Sequence, residues 1–188
     1  AGQIVINAEQ IEILNGGIIT ATALSQASGT GGNIEITTET LHLTGFRPGL
    51  TRTTTDFFQN AQSGIAAITF GNGSAGNISI LAKNIDLENY ASIGAATAGS
   101  GMAGQMIIEV ENLSLKSGGL ITTSSGGIIG GKTYFGTGTS GTLKIIASGN
   151  IIISGHSDFT ASGLLSNTLV SGEGGNLEVQ ANHLTLTD

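Results

Sequence analysis

Three residues of types that bind metals or transfer protons share one position in a repeated pattern. Glu12, His42 and Asp86 each lie between two apolar residues, Ile11 and Ile13 in the first case. If the repeats stack, these side chains form one outward column with the histidine between two carboxylates. Such a set could hold a metal ion or exchange a proton. A structural ladder of surface charges is the expected role, because three groups on a flat face lack an enclosing pocket.

A second group of candidate residues lies in two stretches outside the repeated pattern, at about 46–64 and 125–140. Asp56 with Arg52 supplies the carboxylate and cation that a polysaccharide lyase or hydrolase needs on one face. The aromatic residues of both stretches could instead form a recognition surface or cover the flank of the fold. The candidate recognition residues are Arg47, Arg52, Asp56, Phe57, Phe58, Tyr134 and Phe135.

The chain contains no nucleophile elbow, phosphate-binding loop, dinucleotide fingerprint or histidine pair at helical spacing. The sequence therefore predicts a protein that is not an enzyme and has no cofactor. Lys144 and Glu178 share one column on adjacent repeats and predict a surface ion pair, worth about 0–1 kcal/mol. His156, Asp158 and His183 are expected to be solvated or turn residues.

The residues of the outward columns are positioned by a phrase that occurs six times. Each copy has a lead glycine, a polar residue and an alternating apolar pair, and a second apolar pair begins nine residues after the glycine, or ten in one copy. The lead glycines are Gly2, Gly32, Gly76, Gly104, Gly141 and Gly175. They are 30, 44, 28, 37 and 34 residues apart, a period typical of stacked solenoids.

Alternating apolar residues predict strands with one buried face. The inward pairs of the first strand are Ile4/Ile6, Ile34/Ile36, Ile78/Ile80, Met106/Ile108, Leu143/Ile145 and Leu177/Val179. With the second pair and a third segment such as 17–20, 92–95 or 119–122, each repeat contains three short strands. The sequence thus predicts an all-β, right-handed parallel β-helix of about six coils with three strands per coil, the handedness following from the general preference for right-handed crossovers.

Two features of the phrase predict its turn. The lead glycine is expected to supply a positive φ at the corner. The polar residues that follow it are expected to stack and hydrogen-bond from coil to coil; they are Gln3, Asn33, Asn77, Gln105, Thr142 and Asn176.

Spacings longer than the shortest repeat of 28 residues locate the insertions. The excess is largest after Gly45 and next largest near 125–140, so loops are expected at about 46–64 and 125–140. Residues 1–188 are interpreted as a single β-helix segment of a longer repeat protein. Its strand edges predict that the chain continues or that segments associate end to end.

Composition limits the class of protein. The 31 glycines and one proline disfavour helices, and the absence of cysteine excludes disulfides and thiolate metal sites. A net charge of −7 with six scattered Lys and Arg argues against nucleic acid as a partner. No apolar run is long enough for a membrane span.

The phrases at 31–36, 41–43 and 16–20 resemble the repeats of filamentous-haemagglutinin-type exoproteins, the large two-partner-secretion proteins common in cyanobacteria. The resemblance covers the whole chain. It implies a secreted or surface-anchored β-helical stalk with a role in adhesion or in the extracellular matrix, which binds glycans or proteins and is exported through an outer-membrane transporter. The family's secretion domain has asparagine-proline motifs. The only proline here, Pro48, follows Arg47, so this sequence does not contain such a motif. The family pattern supplies no catalytic residues.

Two other functions remain open from the sequence. Some β-helices are carbohydrate-active enzymes, so a polysaccharide lyase or hydrolase is the main alternative, on fold analogy alone. Threonine rows such as Thr20 with Thr22, and Thr122 with Thr123, could form an ice-binding face. Alanines at the equivalent places in another repeat interrupt that array.

Overall fold

A computed structural model of the chain describes residues 2–24, 29–45, 62–129, 132–158 and 160–188, with only the main chain described at 127–129 and 132–134. These residues form strands and no helix. The strands are β1 Ile4–Leu14, β2 Ile18–Thr20, β3 Ile34–Thr44, β4 Gly64–Thr69, β5 Ile78–Glu88, β6 Ser92–Thr97, β7 Met106–Lys116, β8 Leu120–Ser125, β9 Gly127–Ile129, β10 Lys132–Tyr134, β11 Leu143–Ala147, β12 Asn150–Ser154, β13 Gly163–Thr168, β14 Leu177–Gln180 and β15 His183–Thr187.

The strands form two parallel sheets, as expected for stacked repeats. The larger sheet has the order β1-β3-β5-β7-β11-β14, and β12 and β15 continue it beside β7. The smaller sheet has the order β2-β4-β6-β8-β13. Because the chain alternates between the two sheets, each strand lies beside its copy in the next repeat. The fold is therefore all-β and solenoid-like, and neither sheet is closed.

The predicted register between repeats is confirmed. Ile36 pairs with Ile6 on one side and with Ile80 on the other. The same inward positions in the middle repeats are almost completely buried, with Met106 and Leu143 at 0% exposure. Parallel stacking therefore places identical aliphatic positions in columns, which form the core between the sheets.

The division into strands differs from the prediction in four of the six repeats; in the repeats that begin at Gly141 and Gly175 the two predicted strands are separate, as β11 with β12 and β14 with β15. In the first four repeats, the two predicted strands of the phrase are one strand of 11 residues. In β3 the inward residues are Ile34, Ile36 and Thr38, and then Leu41 and Leu43. Up to Thr38 the even-numbered residues point inward, and from Leu41 the odd-numbered residues do. The strand therefore turns its other face to the core near residue 39. The nine-residue spacing in the phrase reflects this change of face and not a separate strand.

The expectation of a positive φ at the lead glycines was wrong, and from Gly32 onward crowding by the preceding repeat requires these glycines. The positive-φ residues of the described chain do not include Gly32, Gly76 or Gly104. A Cβ atom at Gly104 would lie 1.9 Å from the carbonyl oxygen of Gly76, and one at Gly76 would lie 1.9 Å from that of Gly32. The column of glycines thus allows the main chains of successive repeats to approach closely.

Positive φ values occur instead in the turn after each long strand. Asn15 and Gly16 have φ values of 53° and 84°, and Ser117 and Gly118 have 49° and 84°. Three residues join the long strand to the smaller sheet in both turns. Asn and Gly are the residues that adopt this conformation most readily.

The insertions account for the longer repeats. Residues 46–61 lie outside the described chain, and the loop predicted at 46–64 includes them and the start of β4 at Gly64. The stretch at 125–140 contains an antiparallel hairpin of β9 and β10. The described residues between β12 and β13 form a further loop, with an antiparallel bridge between His156 and Ala161. Apart from this bridge, the described antiparallel pairing belongs to the hairpin.

The last repeat differs from the others in burial. Leu177 and Val179, predicted to be inward and buried, are 46% and 36% exposed. Leu184 and Leu186 of β15 are 51% and 66% exposed. These side chains keep the inward positions of the register, but β14 and β15 are edge strands. Burial in this fold depends on a neighbour on both sides of a strand.

Candidate functional site

The outer face of the long strands carries most of the charge. We call the outward residues of β1, β3, β5 and β7 the acidic face. Eight of the 13 acidic residues of the chain lie there, and all are exposed or half-buried. They are Glu9, Glu12, Glu35, Glu39, Asp86, Glu88, Glu109 and Glu111. The register positions them because outward residues of parallel strands form columns just as inward residues do.

The structure brings together the predicted column of Glu12, His42 and Asp86. Glu12 pairs with His42, and His42 pairs with Asp86. The nearest ion-pair contact of the histidine is to a neighbour of this column: His42 Nε2 lies 3.7 Å from Glu88 Oε1. The side chains of His42 and Glu88 are 29% and 39% exposed. Among the described residues, no group of three or more His, Cys, Asp or Glu side chains could hold a metal ion.

A second charged column, which was not predicted from the sequence, lies at the position where the long strands change face. Lys83 Nζ lies 2.6 Å from Glu39 Oε1 on the preceding repeat. The hydrogen bond and charge of Glu39 raise the pKa of Lys83 above its usual value of 10.5, and the charge of Glu111 adds to this. Both partners are well exposed, so the pair contributes little to stability. Its signal in the sequence was a charged residue seven positions after each of the first four lead glycines.

Two of the polar residues after the lead glycines, Asn33 and Asn77, form the expected ladder, with a different bonding pattern. The main-chain N–H of Asn77 donates to Asn33 Oδ1 at 2.9 Å, and that of Gln105 donates to Asn77 Oδ1 at 2.9 Å. These two side chains thus bond to the main chain of the next repeat, whereas Gln3 Nε2 donates to Glu35 Oε1 at 2.8 Å. A second amide ladder, which we did not predict, joins Asn112 Nδ2 to Asn84 Oδ1 at 3.2 Å. These ladders satisfy polar groups between repeats and fix the register.

The predicted recognition residues are only partly described. Arg47, Arg52, Asp56, Phe57 and Phe58 lie outside the described residues. The main chain of Tyr134 belongs to β10, and its side chain is also outside the description. Phe135, which follows the hairpin, is 68% exposed.

Residues at the two ends of the first insertion lie close together. The main-chain N–H of Ser63 donates to the carbonyl oxygen of Gly45 at 2.8 Å, and Ser63 Oγ donates to the carbonyl oxygen of Thr44 at 2.6 Å. Gly45 has a φ of 79°, as in the three-residue turns of other repeats. The insertion therefore begins and ends within one turn of the fold, which the repeat forms elsewhere without it.

Two further ion-pair contacts lie elsewhere on the described surface. Lys144 Nζ lies 2.8 Å from Glu178 Oε2, which confirms the predicted surface ion pair. His156 Nδ1 lies 3.1 Å from Asp188 Oδ1, and both side chains are largely exposed. These contacts lie on open surface, so we assign them no chemistry beyond surface pairing.

Comparisons of the chain with protein-family models, curated proteins and solved structures found no match. Within the described ranges, no helix is long and apolar enough to cross a membrane.

Proposed function

We propose that the chain is a segment of a non-catalytic, secreted or cell-surface stalk, structural or adhesive in role, of the filamentous-haemagglutinin type. The observation that carries this proposal is the repetition of one register through the larger sheet. Aliphatic columns, glycine columns and amide ladders all run in the stacking direction. A fold built in this way extends by adding repeats, and each repeat depends only on its neighbours.

We further infer the finer architecture as a right-handed parallel β-helix of about six coils. In the first four coils the long strand supplies two faces, one on either side of its change of face, and in the fifth coil β11 and β12 supply them. A strand of the smaller sheet supplies the third face of these five coils. The general preference for right-handed crossovers supports the handedness. This architecture suits a rod that separates a binding surface from an anchor, because loops can be inserted at turns without altering the inward columns.

We place recognition on the insertion at about 46–64, with the hairpin stretch at 125–140 as a second contact. Insertions in solenoids become loops on the outer surface, where binding residues are frequent. The expected partners are glycans or proteins of a cell surface or matrix. Export through an outer-membrane transporter and an extracellular location form part of this proposal, supported by the resemblance of the repeats.

Removal of the insertion tests the proposal directly. Deletion of residues 46–61 together with Gln62→Gly leaves three residues between Thr44 and Gly64, the length of the turns at 15–17 and 117–119. The new glycine would occupy the position where Gly16 and Gly118 have a φ of 84°. We expect the variant to keep its β circular dichroism and its unfolding midpoint but to lose attachment to cells or to a glycan array.

The control for this experiment is a deletion of residues 127–134, which removes the hairpin and leaves the first insertion intact. If recognition is centred on the first insertion, this control should keep most of its attachment. Unchanged attachment after deletion of residues 46–61 would refute the assignment of recognition to that loop. Cleavage of a polysaccharide that is lost in Asp56→Asn would instead favour a carbohydrate-active enzyme.

A further inference from the structure

The chain contains two asparagine–glycine steps, and the structure holds them differently. They are Asn15–Gly16, in the turn between β1 and β2, and Asn72–Gly73, in the stretch between β4 and β5. Both asparagines are exposed. In such a step the main-chain nitrogen of the glycine can attack the side-chain carbonyl carbon of the asparagine, because glycine has no Cβ atom to hinder the approach.

The attacking nitrogen is hydrogen-bonded in one step and not in the other. The N–H of Gly16 donates to Ser63 Oγ at 3.0 Å, and Asn15 is held at a φ of 53°. Among the described residues, no group accepts the N–H of Gly73. The nitrogen of Gly16 must therefore give up a hydrogen bond before it reacts, whereas that of Gly73 need not.

The side-chain carbonyl group of Asn72 is also polarised. Ser100 Oγ, at the equivalent place in the next repeat, donates to Asn72 Oδ1 at 3.1 Å. Attack at Asn72 Cγ moves negative charge onto this oxygen, so the same hydrogen bond would stabilise the tetrahedral intermediate. Within the described part of the chain, no group donates to Asn15 Oδ1.

We propose that Asn72 and Gly73 form a site of spontaneous modification, in which Asn72 is converted to aspartate and isoaspartate through a succinimide. The nitrogen of Gly73 loses its proton to solvent hydroxide and bonds to Asn72 Cγ, and Nδ2 leaves as ammonia. Water then opens the ring. Cleavage of the bond from nitrogen to Cγ gives aspartate, whereas cleavage of the bond to the main-chain carbonyl carbon gives isoaspartate, whose main chain is one methylene group longer. This inference goes beyond the proposed function and does not depend on it.

The two products should differ in their effect on the fold. The main chains of successive repeats are closely packed at this glycine. A Cβ atom at Gly73 would lie 2.4 Å from the carbonyl oxygen of Gly29, and one at Gly101 would lie 2.2 Å from that of Gly73. A longer main chain before Gly73 therefore has no room between its neighbours. Aspartate keeps the main chain, and its carboxylate can accept the hydrogen bond from Ser100.

Peptide mass spectrometry of the folded chain tests the proposal. The chain is kept at mildly alkaline pH and digested at intervals, and the mass change from NH2 to OH is followed in the peptides that contain Asn15 and Asn72. We expect conversion at Asn72 to be at least about five-fold faster, the factor that corresponds to a hydrogen bond of about 1 kcal/mol. In urea that unfolds the chain, the two rates should become equal. Isoaspartate, counted by enzymatic methylation, should form a smaller share of the product in the folded chain than in urea.

Ser100→Ala tests the assistance from the neighbouring repeat. It should slow conversion at Asn72 by about two- to five-fold and leave conversion at Asn15 unchanged. Ser79→Ala, at an exposed serine on the acidic face, is the matched control and should change neither rate. Asn72→Ser, which introduces the residue type found at position 100, should abolish the mass change in that peptide.

Equal rates at Asn15 and Asn72 in the folded chain would overturn the inference. A difference in rate that persists in urea would also overturn it, because the difference would then come from the sequence and not from the fold. An unchanged rate at Asn72 in Ser100→Ala would refute the assistance by Ser100.

Discussion

Gly104→Ala is the substitution that best tests how the repeats are held together. The new Cβ would lie 1.9 Å from the carbonyl oxygen of Gly76, whereas ordinary contacts begin near 3.4 Å. The two main chains must therefore separate by about 1.5 Å, a large part of the roughly 4.8 Å between parallel strands. This movement would strain the nearby hydrogen bond from Ile78 N–H to the carbonyl oxygen of Gln105, now 3.0 Å long. Overpacking and a weakened hydrogen bond together should cost about 3–4 kcal/mol.

The assay is urea unfolding followed by far-UV circular dichroism, with the free energy extrapolated linearly to water. Gly94→Ala is the matched control in the smaller sheet, since its Cβ would meet only Thr122, at 3.5 Å from the methyl group and 3.9 Å from the carbonyl oxygen. That control should change stability by less than about 1 kcal/mol, because Gly to Ala at a compatible position is neutral or stabilising. Equal stability of Gly104→Ala and the parent chain would refute the crowding argument. Tolerance of Gly104→Asn, together with loss of stability in Gly104→Ala, would favour the positive-φ interpretation instead.

Three further predictions use adjacent or stacked side chains. Ile80→Asp should destabilise the fold by about 3–5 kcal/mol because it buries an unpaired charge, whereas Leu81→Asp, at a position 53% exposed, should leave the urea midpoint nearly unchanged. Glu39 raises the pKa of Lys83 above 10.5, so the stability that this contact provides is complete at lower pH and is lost as the pH rises through the raised pKa. In Lys83→Met the free energy of unfolding should therefore fall less steeply at alkaline pH than in the parent chain. An equally steep fall would contradict this. Asn112→Ala removes the middle of an amide ladder and should lower the free energy of unfolding by about 0.5–1 kcal/mol in the same urea assay. An unchanged free energy of unfolding would contradict a role of the ladder in fixing the register.

The sequence was sufficient to predict the stacking because its signals are periodic. A one-residue slip would turn every outward side chain of a strand inward, so the spacing of apolar pairs fixes the register strongly. The pairings of Ile36 with Ile6 and Ile80 followed from this spacing alone. The smaller sheet was predicted in three places, at β2, β6 and β8. Its strands β4 and β13 follow insertions and were not identified, because the insertions obscured the period.

What the sequence could not supply was the reason for each glycine. A glycine in a short phrase is compatible with a positive φ and with close approach of a neighbouring main chain, and only coordinates distinguish these. The lead glycines proved to be of the second kind and Gly16 and Gly118 of the first. The column of Glu39 and Lys83 was missed for a related reason. The apolar pairs mark as outward only the positions between them, and these two residues lie between the two pairs, where the strand changes face.

The distribution of sequence variation within the repeats bears on function. The inward positions of the paired residues vary only among apolar residues, whereas one outward column runs through Glu12, His42, Asp86, Ser114, Ile152 and Thr185. Stacking constrains the inward set because each side chain contacts its copies on both sides, and it leaves the outward set free. The same physics leaves the turns free to lengthen, since loop-closure entropy grows slowly with length. A stalk that acquires binding loops without altering its core needs this separation, and it is the physical reason for placing recognition on the insertion at about 46–64.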